Sequence, residues 1–180
     1  TVTEVMWVTG AALFIRLADY REVGGLDDHF FAHMEEIDLC WRLRSRGKKL
    51  VCIPQSVVYH VGGATLKKEN PRKTFLNFRN NLLMLYKNLP DKELEHVLFI
   101  RGILDRVAAL VFYLKKDRAN ARAVMQARRE FEDIRYSFAA SRIENMMKST
   151  DEIIPERTHF SIVMKYYLLG KKHFSQLKLF

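Results

Sequence analysis

Residues 24–42 read GGLDDHFFAHMEEIDLCWR, and the rest of the chain is organised around this stretch. The glycine pair predicts the end of one element, and an acidic, aromatic loop follows it. Three carboxylates, those of Glu35, Glu36 and Asp38, then stand at the start of a predicted helix. That helix ends on arginines before Gly47, so its charges follow the order that the helix dipole favours.

Glu36 shares one face of this helix with Cys40 and Leu43, which follow it by four and seven residues. This face is predicted to contact the body of the protein, which makes Glu36 an inward-pointing acid at a helix N-terminus. Free backbone N–H groups there should keep it ionised, and an ionised carboxylate beside a pocket can accept a proton from a hydroxyl. The spacing leaves a structural alternative open, in which the three carboxylates cap the helix and pair with Arg42.

The sequence contains five short blocks in a fixed order, which are WVTGAALFIR at 7–16, GGLD at 24–27, FF at 30–31, EEIDLCWR at 35–42 and VYHVGG at 58–63. Together they resemble the second half of a family 2 glycosyltransferase, of the bacterial rhamnosyltransferase-like kind that builds surface polysaccharides. The resemblance implies an α/β chain whose residues 1–90 form the C-terminal, acceptor-side half of a GT-A nucleotide-sugar transferase fold. Residues 91–180 would follow as a mostly α-helical extension.

The resemblance also implies an inverting, metal-dependent reaction with roles for individual residues. Glu36 would deprotonate the acceptor hydroxyl, and Glu35 would help or orient it. The family usually has Glu-Asp where this chain has Glu35-Glu36, so which of the two acids is the base stays open. Asp38 and Arg42, counted among the substrate-binding residues, would hold the helix in register.

Further substrate contacts are implied on two other segments. Trp7, Thr9 and Gly10 belong to the block that lines the floor of the active site in the resembled family. A glycine inside a strand often marks a place where something approaches the backbone closely. Gly62 and Gly63 would let the loop after them fold across bound substrate.

A divalent metal, Mn²⁺ or Mg²⁺, is the implied cofactor, and His60 would complete its coordination. The alternative for His60 is a structural histidine at the end of a strand. Most of the metal site would belong to a nucleotide-binding half, because this chain contains no Asp-x-Asp. The chain also begins without an initiator Met, so we expect a fragment that is inert alone.

The composition allows a substantial core, since 48% of the 180 residues are apolar. The net charge of +9 is spread along the chain and suits an anionic membrane surface or anionic substrates. Nucleic acid is not expected as a partner, because finger, cold-shock and RNA-recognition signatures are absent from the sequence. Cys40 and Cys52 are predicted to be reduced, although one bridge between them is the alternative.

Hydrophobic spacing predicts strands at 5–16, 49–53 and 57–59, and helices at 17–23, 71–89, 91–114 and 118–148. Asn70, Asp91 and Asp117 are the predicted caps of the last three helices. A boundary is placed near residue 90, beyond which the two long helices should form an antiparallel hairpin. Charges within 97–114 argue against a membrane span, so this helix should pack on the domain or lie at a membrane interface.

The resemblance therefore implies part of a glycosyltransferase that moves a sugar from a nucleotide-sugar donor to an acceptor hydroxyl. The acceptor would be a surface polysaccharide or a lipid-linked glycan. We expect the protein in the cytoplasm, attached peripherally to the inner face of the cell membrane. The alternative function is a non-catalytic, basic helical module that binds a membrane surface or nucleic acid.

Overall fold

The protein is mainly helical in the computed structural model, which describes residues 1–60, 70–150, 154–158 and 160–177. In chain order, its helices are α1 (Leu17–Glu22), α2 (Glu35–Ser45), α3 (Pro71–Asn88), α4 (Asp91–Leu114), α5 (Arg118–Ile134), α6 (Ala139–Lys148) and α7 (Ile162–Tyr167). Short 3₁₀ turns occur at Gly10–Ala12, Asp28–Phe30, Arg135–Phe138 and Phe174–Gln176. Two strands, β1 (Thr3–Glu4) and β2 (Val51–Cys52), pair antiparallel with Thr3 opposite Cys52. Within the described residues, the expected α/β character is reduced to this ladder beside a helical body.

The strand predicted at 5–16 is wrong beyond its first residue. The Val5 backbone N–H donates to the Leu50 carbonyl at 3.0 Å and extends the ladder, but the chain then turns through the 3₁₀ helix at Gly10–Ala12. The ladder stops because no further strand lies beside this segment in the described part of the chain. The strand predicted at 57–59 is also wrong, since its residues are exposed and outside the ladder.

Several predicted helix boundaries are confirmed. Asn70 accepts a hydrogen bond from the Arg72 backbone N–H at 2.9 Å, with Pro71 as the first residue of α3. Asp117 accepts one from the backbone N–H of Asn120 at 3.1 Å and begins α5. The acidic helix is also confirmed as α2, with its carboxylates in the first turn and arginines in the last.

Two other predictions about helix ends are wrong. Asp91 is the first residue of α4 and not its cap, because Pro90 occupies the cap position without a side-chain hydrogen bond. The single helix predicted at 118–148 consists of α5 and α6, joined by a 3₁₀ turn. In that turn the Ser137 hydroxyl donates to the Ile134 carbonyl at 2.7 Å, a side-chain bond that competes with the helical pattern.

Helices α3, α4 and α5 form an up-down-up bundle. α4 runs antiparallel to α3, and the Arg101 guanidinium lies 5.8 Å from the centroid of the Phe78 ring. It also runs antiparallel to α5, where Arg128 pairs with Asp105 at 2.9 Å, so the predicted hairpin is confirmed. α3 and α5 are consequently parallel, and their N-terminal halves lie side by side.

Two clusters of buried side chains stabilise the fold. The smaller one packs the N-terminal segment on α2 and comprises Val23, Leu39, Cys40, Leu43 and Leu50. The larger one includes Phe30, Trp41, Leu82, Leu83, Leu94, Leu98, Phe131, Phe138 and Ile154. Residues on both sides of position 90 therefore share one core, while a domain boundary there stays a prediction. Buried Cys40 and exposed Cys52 are both free thiols, as predicted.

The outer face of α4 is apolar and exposed. Five side chains spaced along it are at least half exposed, namely Phe99, Ile103, Val107, Leu110 and Leu114. Lys115 and Lys116 follow directly after the helix. Among the described residues, none of the helices combines the length and the apolar content that crossing a bilayer requires.

Candidate active site

The loop that leads into α2 has an unusual backbone. Phe31 has φ +60° and ψ −55°, and the Ala32 backbone N–H donates to the Phe30 carbonyl at 2.6 Å, which forms a γ-turn. His33 and Met34 follow with φ of +70° and +74°. Side-chain-bearing residues rarely adopt such angles, and they persist only where the surroundings hold them.

Asn80 of α3 is the residue that holds this loop. Its amide nitrogen lies 2.8 Å from the carbonyl oxygens of Phe30, Ala32 and His33, so two N–H groups are shared among three acceptors. The side chain is completely buried. The neighbouring Arg79 adds a hydrogen bond to the backbone of the same loop. The loop therefore keeps a fixed position on α3 in spite of its strained backbone angles.

The fixed loop places three polar side chains at the start of α2. His33, Glu35 and Glu36 each have one buried polar atom, which are Nε2, Oε2 and Oε2, with no hydrogen-bond partner among the described residues. Buried polar atoms usually have partners, and those that lack one are candidates for contact with a substrate or water. The three atoms thus mark the opening of α2 as a site with unused hydrogen-bonding capacity.

Burial is the main reason that the pKa of Glu36 is raised above its ordinary value. The charge of Glu35 raises it further, while backbone N–H groups at the helix start and the nearby His33 lower it. Burial therefore outweighs the N–H groups in setting this pKa, while ionisation of Glu36 at neutral pH stays a prediction. A carboxylate with a raised pKa is a stronger base than an ordinary one once it is ionised.

The N-terminal segment passes directly beside Glu36. A Cβ atom built on Gly10 would lie 3.7 Å from the Glu36 Cβ, an ordinary van der Waals distance, so the Gly10 backbone passes next to the Glu36 side chain. Thr9 accepts a hydrogen bond from the Ala11 backbone N–H at 3.5 Å and caps the 3₁₀ turn. Trp7 is about half exposed. Of the three residues predicted for the floor of the site, the structure thus brings Gly10 into contact with the candidate base.

Asp38 and Arg42 lie on the same helix but are engaged by protein groups. Asp38 is completely buried, and its oxygens accept hydrogen bonds from Arg42 at 2.9 Å, from Lys87 at 3.0 Å and from Asn88 at 2.7 Å. Arg42 also donates to the Gly25 carbonyl at 2.7 Å. This geometry joins α2, α3 and the glycine pair, while substrate contact by either residue stays a prediction.

A second carboxylate completes this network. Lys87 lies 2.7 Å from Asp27, so its ammonium group bridges two carboxylates and is itself almost fully buried. Burial raises the pKa of Asp27, but Lys87 together with His29 outweighs it and lowers the pKa below its ordinary value. The Asp27 carboxylate is thereby favoured in the charged form that pairs with Lys87.

The remaining predicted site residues are not brought to this site by the described structure. His60 is exposed, and Gly62 and Gly63 lie outside the described residues. No group of three or more His, Cys, Asp or Glu residues in the described ranges is placed to hold a metal ion. The described residues therefore do not form a metal site by themselves, and the metal stays a prediction.

Sequence reasoning missed the roles of Asn80 and Lys87. A signal existed, because Lys87 follows Asn80 by seven residues and Leu83 by four, which places all three on the buried face of α3. Polar residues at core positions of a helix need partners, and α2 with its preceding loop supplies them.

Comparison with curated proteins finds glycosyltransferases. The chain is 31% identical over 141 residues to the pre-mycofactocin glycosyltransferase of Mycobacterium tuberculosis (strain H37Rv), and the match covers 72% of this chain and 29% of that protein. It is 38% identical over 56 residues to the N-acetylglucosaminyl-diphospho-decaprenol L-rhamnosyltransferase of the same organism, covering 31% of this chain and 18% of the relative. It is 36% identical over 58 residues to rhamnosyltransferase WbbL of Escherichia coli (strain K12), covering 32% and 22%.

The matches span less than a third of the length of these relatives. The first match covers more than half of this chain, so it includes residues of the helical extension after position 90. No protein-family model and no solved structure matches the chain. The curated homologues of this chain are glycosyltransferases, rhamnosyltransferases among them, and they support a glycosyltransferase family for it.

Proposed function

We propose that the chain is the catalytic-base half of an inverting, metal-dependent glycosyltransferase of the GT-A type. The enzyme moves a hexose-type sugar from a nucleotide-sugar donor to a hydroxyl of a glycan acceptor. The observation that carries the proposal is the Glu36 carboxylate, which has a raised pKa, Gly10 beside it and a buried oxygen that lacks a hydrogen-bond partner among the described residues. The glycosyltransferase names of the homologues support the same class of reaction.

The chemistry needs one base on this side of the site. Glu36 accepts the proton of the acceptor hydroxyl while that oxygen forms a bond to the anomeric carbon of the donor sugar. The bond between that carbon and the diphosphate breaks on the opposite face, and the configuration is inverted. Glu35 raises the pKa of Glu36 by its charge and is the alternative base.

In this proposal Asp38 and Arg42 act as positioning residues. Their buried ion pair, together with Lys87, holds the start of α2 against α3 and the glycine pair. A divalent cation would supply charge neutralisation to the leaving nucleoside diphosphate. The described residues contain no group of three or more His, Cys, Asp or Glu placed to hold that cation, and the role of each residue named above does not depend on it.

The acceptor is proposed from the relatives. The name of one of them contains an acceptor, N-acetylglucosaminyl-diphospho-decaprenol, which is a glycan linked through a diphosphate to a long lipid. We assign an acceptor of this lipid-linked class to the present protein. Such a substrate resides at a membrane, which suits an enzyme with an excess of basic residues.

The test is release of nucleoside diphosphate from nucleotide sugars by the protein that contains this chain. Glu36→Gln is expected to lower kcat by roughly 10²–10⁴-fold, because the amide cannot accept the proton. Glu22→Gln, on an exposed part of α1, is the matched control and should retain full activity. If Glu35→Gln lowers kcat by this factor while Glu36→Gln stays active, the base is Glu35. Unchanged activity in both variants would refute an acid at this position.

Peripheral attachment to the inner face of the cell membrane is proposed from the outer face of α4. Its exposed apolar side chains end at Lys115 and Lys116, an arrangement that suits an anionic headgroup surface. The double substitution Ile103→Glu with Val107→Glu is expected to abolish sedimentation with phosphatidylglycerol vesicles. The corresponding pair on α6, Ile143→Glu with Met147→Glu, should sediment as the wild type does. Sedimentation of both variants would contradict the assignment.

A further inference from the structure

A second groove lies beside the active-site loop, between the N-terminal halves of α3 and α5. It has a volume of about 820 Å³, and its lining includes Phe31, Arg72, Phe75, Arg79 and Arg122. Phe31 is the residue of the γ-turn and precedes Glu35 by four positions. The chain can place it at most about 14 Å from the start of α2. The groove therefore borders the loop that leads to the proposed base.

The groove is positively charged in a way that the fold does not neutralise. Arg79 pairs with Glu130 at 2.8 Å, and this pair forms one part of the lining. Arg72 and Arg122 are exposed, and neither has a carboxylate partner among the described residues. Two guanidinium groups thus face the groove without a counter-charge in the described part of the protein. Guanidinium groups bind phosphate oxygens through paired N–H donors, which makes a phosphate group the fitting ligand.

The direction of the two helices adds to this charge. α3 and α5 are parallel, so both begin at the same end of the groove. Arg72 is the second residue of α3, and Arg122 is the fifth residue of α5. The cap of α3, Asn70, is uncharged, so the partial positive charge of that helix N-terminus reinforces Arg72, whereas the Asp117 carboxylate offsets it at the start of α5. An anion with more than one charge gains most from such an arrangement.

Aromatic rings complete the groove. The Phe31 ring is two-thirds exposed, and the Arg72 guanidinium lies 5.2 Å from its centroid. Arg79 lies in the same way 5.4 Å from the centroid of the Phe75 ring. Stacking on a ring limits the freedom of a guanidinium group before a ligand arrives. Arg72 is thus partly fixed in a position from which it can bind phosphate.

A neighbouring groove indicates what the phosphate is attached to. It lies between α4 and α5 and has a volume of about 1030 Å³, and most of its exposed lining is apolar, with Leu110, Tyr113 and Met125 beside charged residues of α5 such as Arg129 and Asp133. Arg122 lies on the ridge of α5 that borders both grooves. A ligand with a charged head in the first groove can therefore lay an apolar chain in the second. A nucleoside diphosphate has no such chain.

We propose that the groove between α3 and α5 binds the diphosphate of a lipid-linked acceptor, with Arg72 and Arg122 as its principal ligands. The identification of the bound ligand as the acceptor rests on the function proposed above. The binding of a prenyl diphosphate, in contrast, can be measured without any turnover. The site holds the acceptor by its diphosphate and leaves the sugar hydroxyl free to reach Glu36.

Titration calorimetry of the full chain with farnesyl diphosphate tests the proposal. Arg72→Gln and Arg122→Gln are each expected to weaken binding roughly ten- to a hundredfold, because each removes a charge-assisted contact. Arg21→Gln, which removes an exposed arginine of α1 outside both grooves, is the control and should bind as the wild type does. Added salt should weaken binding by the wild type more than binding by a variant that combines Arg72→Gln with Arg122→Gln.

Two further titrations identify the ligand. Inorganic pyrophosphate should bind more weakly than farnesyl diphosphate, since it cannot use the apolar groove. UDP that binds as tightly as farnesyl diphosphate, with the same dependence on Arg72 and Arg122, would overturn the assignment to the acceptor. Farnesyl diphosphate binding that is absent, or that both arginine variants leave unchanged, would overturn the site itself. Glu36→Gln should bind as the wild type does, so a failure of the proposed reaction would leave this result standing.

Discussion

The first turn of α2 contains two kinds of acidic residue within four positions. Asp38 is completely buried, and lysine, arginine and asparagine side chains occupy its two oxygens. Glu35 and Glu36 each have a buried oxygen that no described residue binds. All three acids have at least one buried oxygen, although Asp38 is completely buried and Glu35 and Glu36 are only partly buried, so a buried oxygen alone does not separate a structural acid from a catalytic one. The presence or absence of donors separates them, because an acid whose donors are all supplied by the protein has no capacity left for a substrate.

The largest effect expected from this comparison is the loss of stability in Asp38→Asn. The change takes the Asp38 charge from two buried cations, Arg42 and Lys87. Lys87 keeps its ion pair with Asp27. Breaking a buried ion pair from one side lowers the free energy of unfolding by about 3–5 kcal/mol. The measurement is the midpoint of urea unfolding, with the slope of the transition compared to confirm that only stability has changed.

Glu36→Gln is the control, since it replaces a carboxylate by an amide on the same helix turn. It removes no ion pair of the described structure, and the amide oxygen of glutamine can still accept from the backbone N–H groups at the helix start, so its unfolding free energy should not fall. A similar loss of stability in both variants would mean that Asp38 and Glu36 both stabilise the fold. The comparison between a structural and a catalytic acid would then be wrong.

A smaller effect is expected in Asn80→Ala. The change removes the donors of three buried carbonyl groups in the loop before α2 and should lower the free energy of unfolding by about 1–3 kcal/mol. Asn81→Ala is the matched control, because the Asn81 amide has only a 4.0 Å contact with the Met34 sulfur. Hydrogen exchange of the amides at 31–36 should accelerate in the first variant and not in the second. Unchanged exchange in Asn80→Ala would show that the strained loop is held by other groups.

Local patterns predicted the helices of this protein well. The acidic first turn of α2, the Asn70-Pro71 start of α3 and the Asp117 cap of α5 are short-range signals, and each is decided by the few residues around it. The strand prediction at 5–16 was wrong because strand formation depends on residues that are distant in the sequence. A strand needs a neighbour to pair with, and β2 offers only a two-residue ladder.

The candidate site was predictable only in part. The inward direction of Glu36 follows from its spacing to Cys40 and Leu43, and the contact with Gly10 agrees with it. The sign of its pKa shift did not follow, because burial depends on how the N-terminal segment packs over the helix. The hydrogen bonds of Asn80 could not be predicted from the sequence either, because they join residues about fifty positions apart in the chain.

The smallest expected effect is a difference in pH dependence between the two regions. The pKa of Asp27 is lowered in the folded protein, so its ion pair stabilises the fold above the ordinary value of 3.8 and is lost as the pH falls through the lowered pKa. The pKa of Glu36 is raised by burial, so its charge destabilises the fold at neutral pH. This penalty disappears as the pH falls through the raised pKa towards the ordinary value of 4.5.

Glu36→Gln should therefore be more stable than the wild type at pH 7, and the gain should shrink as the pH falls through the raised pKa and vanish below about 4.5, where Glu36 becomes protonated in both the folded and the unfolded state. Asp27→Asn should be less stable at pH 7, and its deficit should persist down to about pH 4 before it shrinks. Urea unfolding at several pH values between 4 and 7 gives both difference curves. If the gain in stability of Glu36→Gln does not vary with pH, the pKa of Glu36 is not raised in the folded protein. The raised pKa would then no longer support Glu36 as the base.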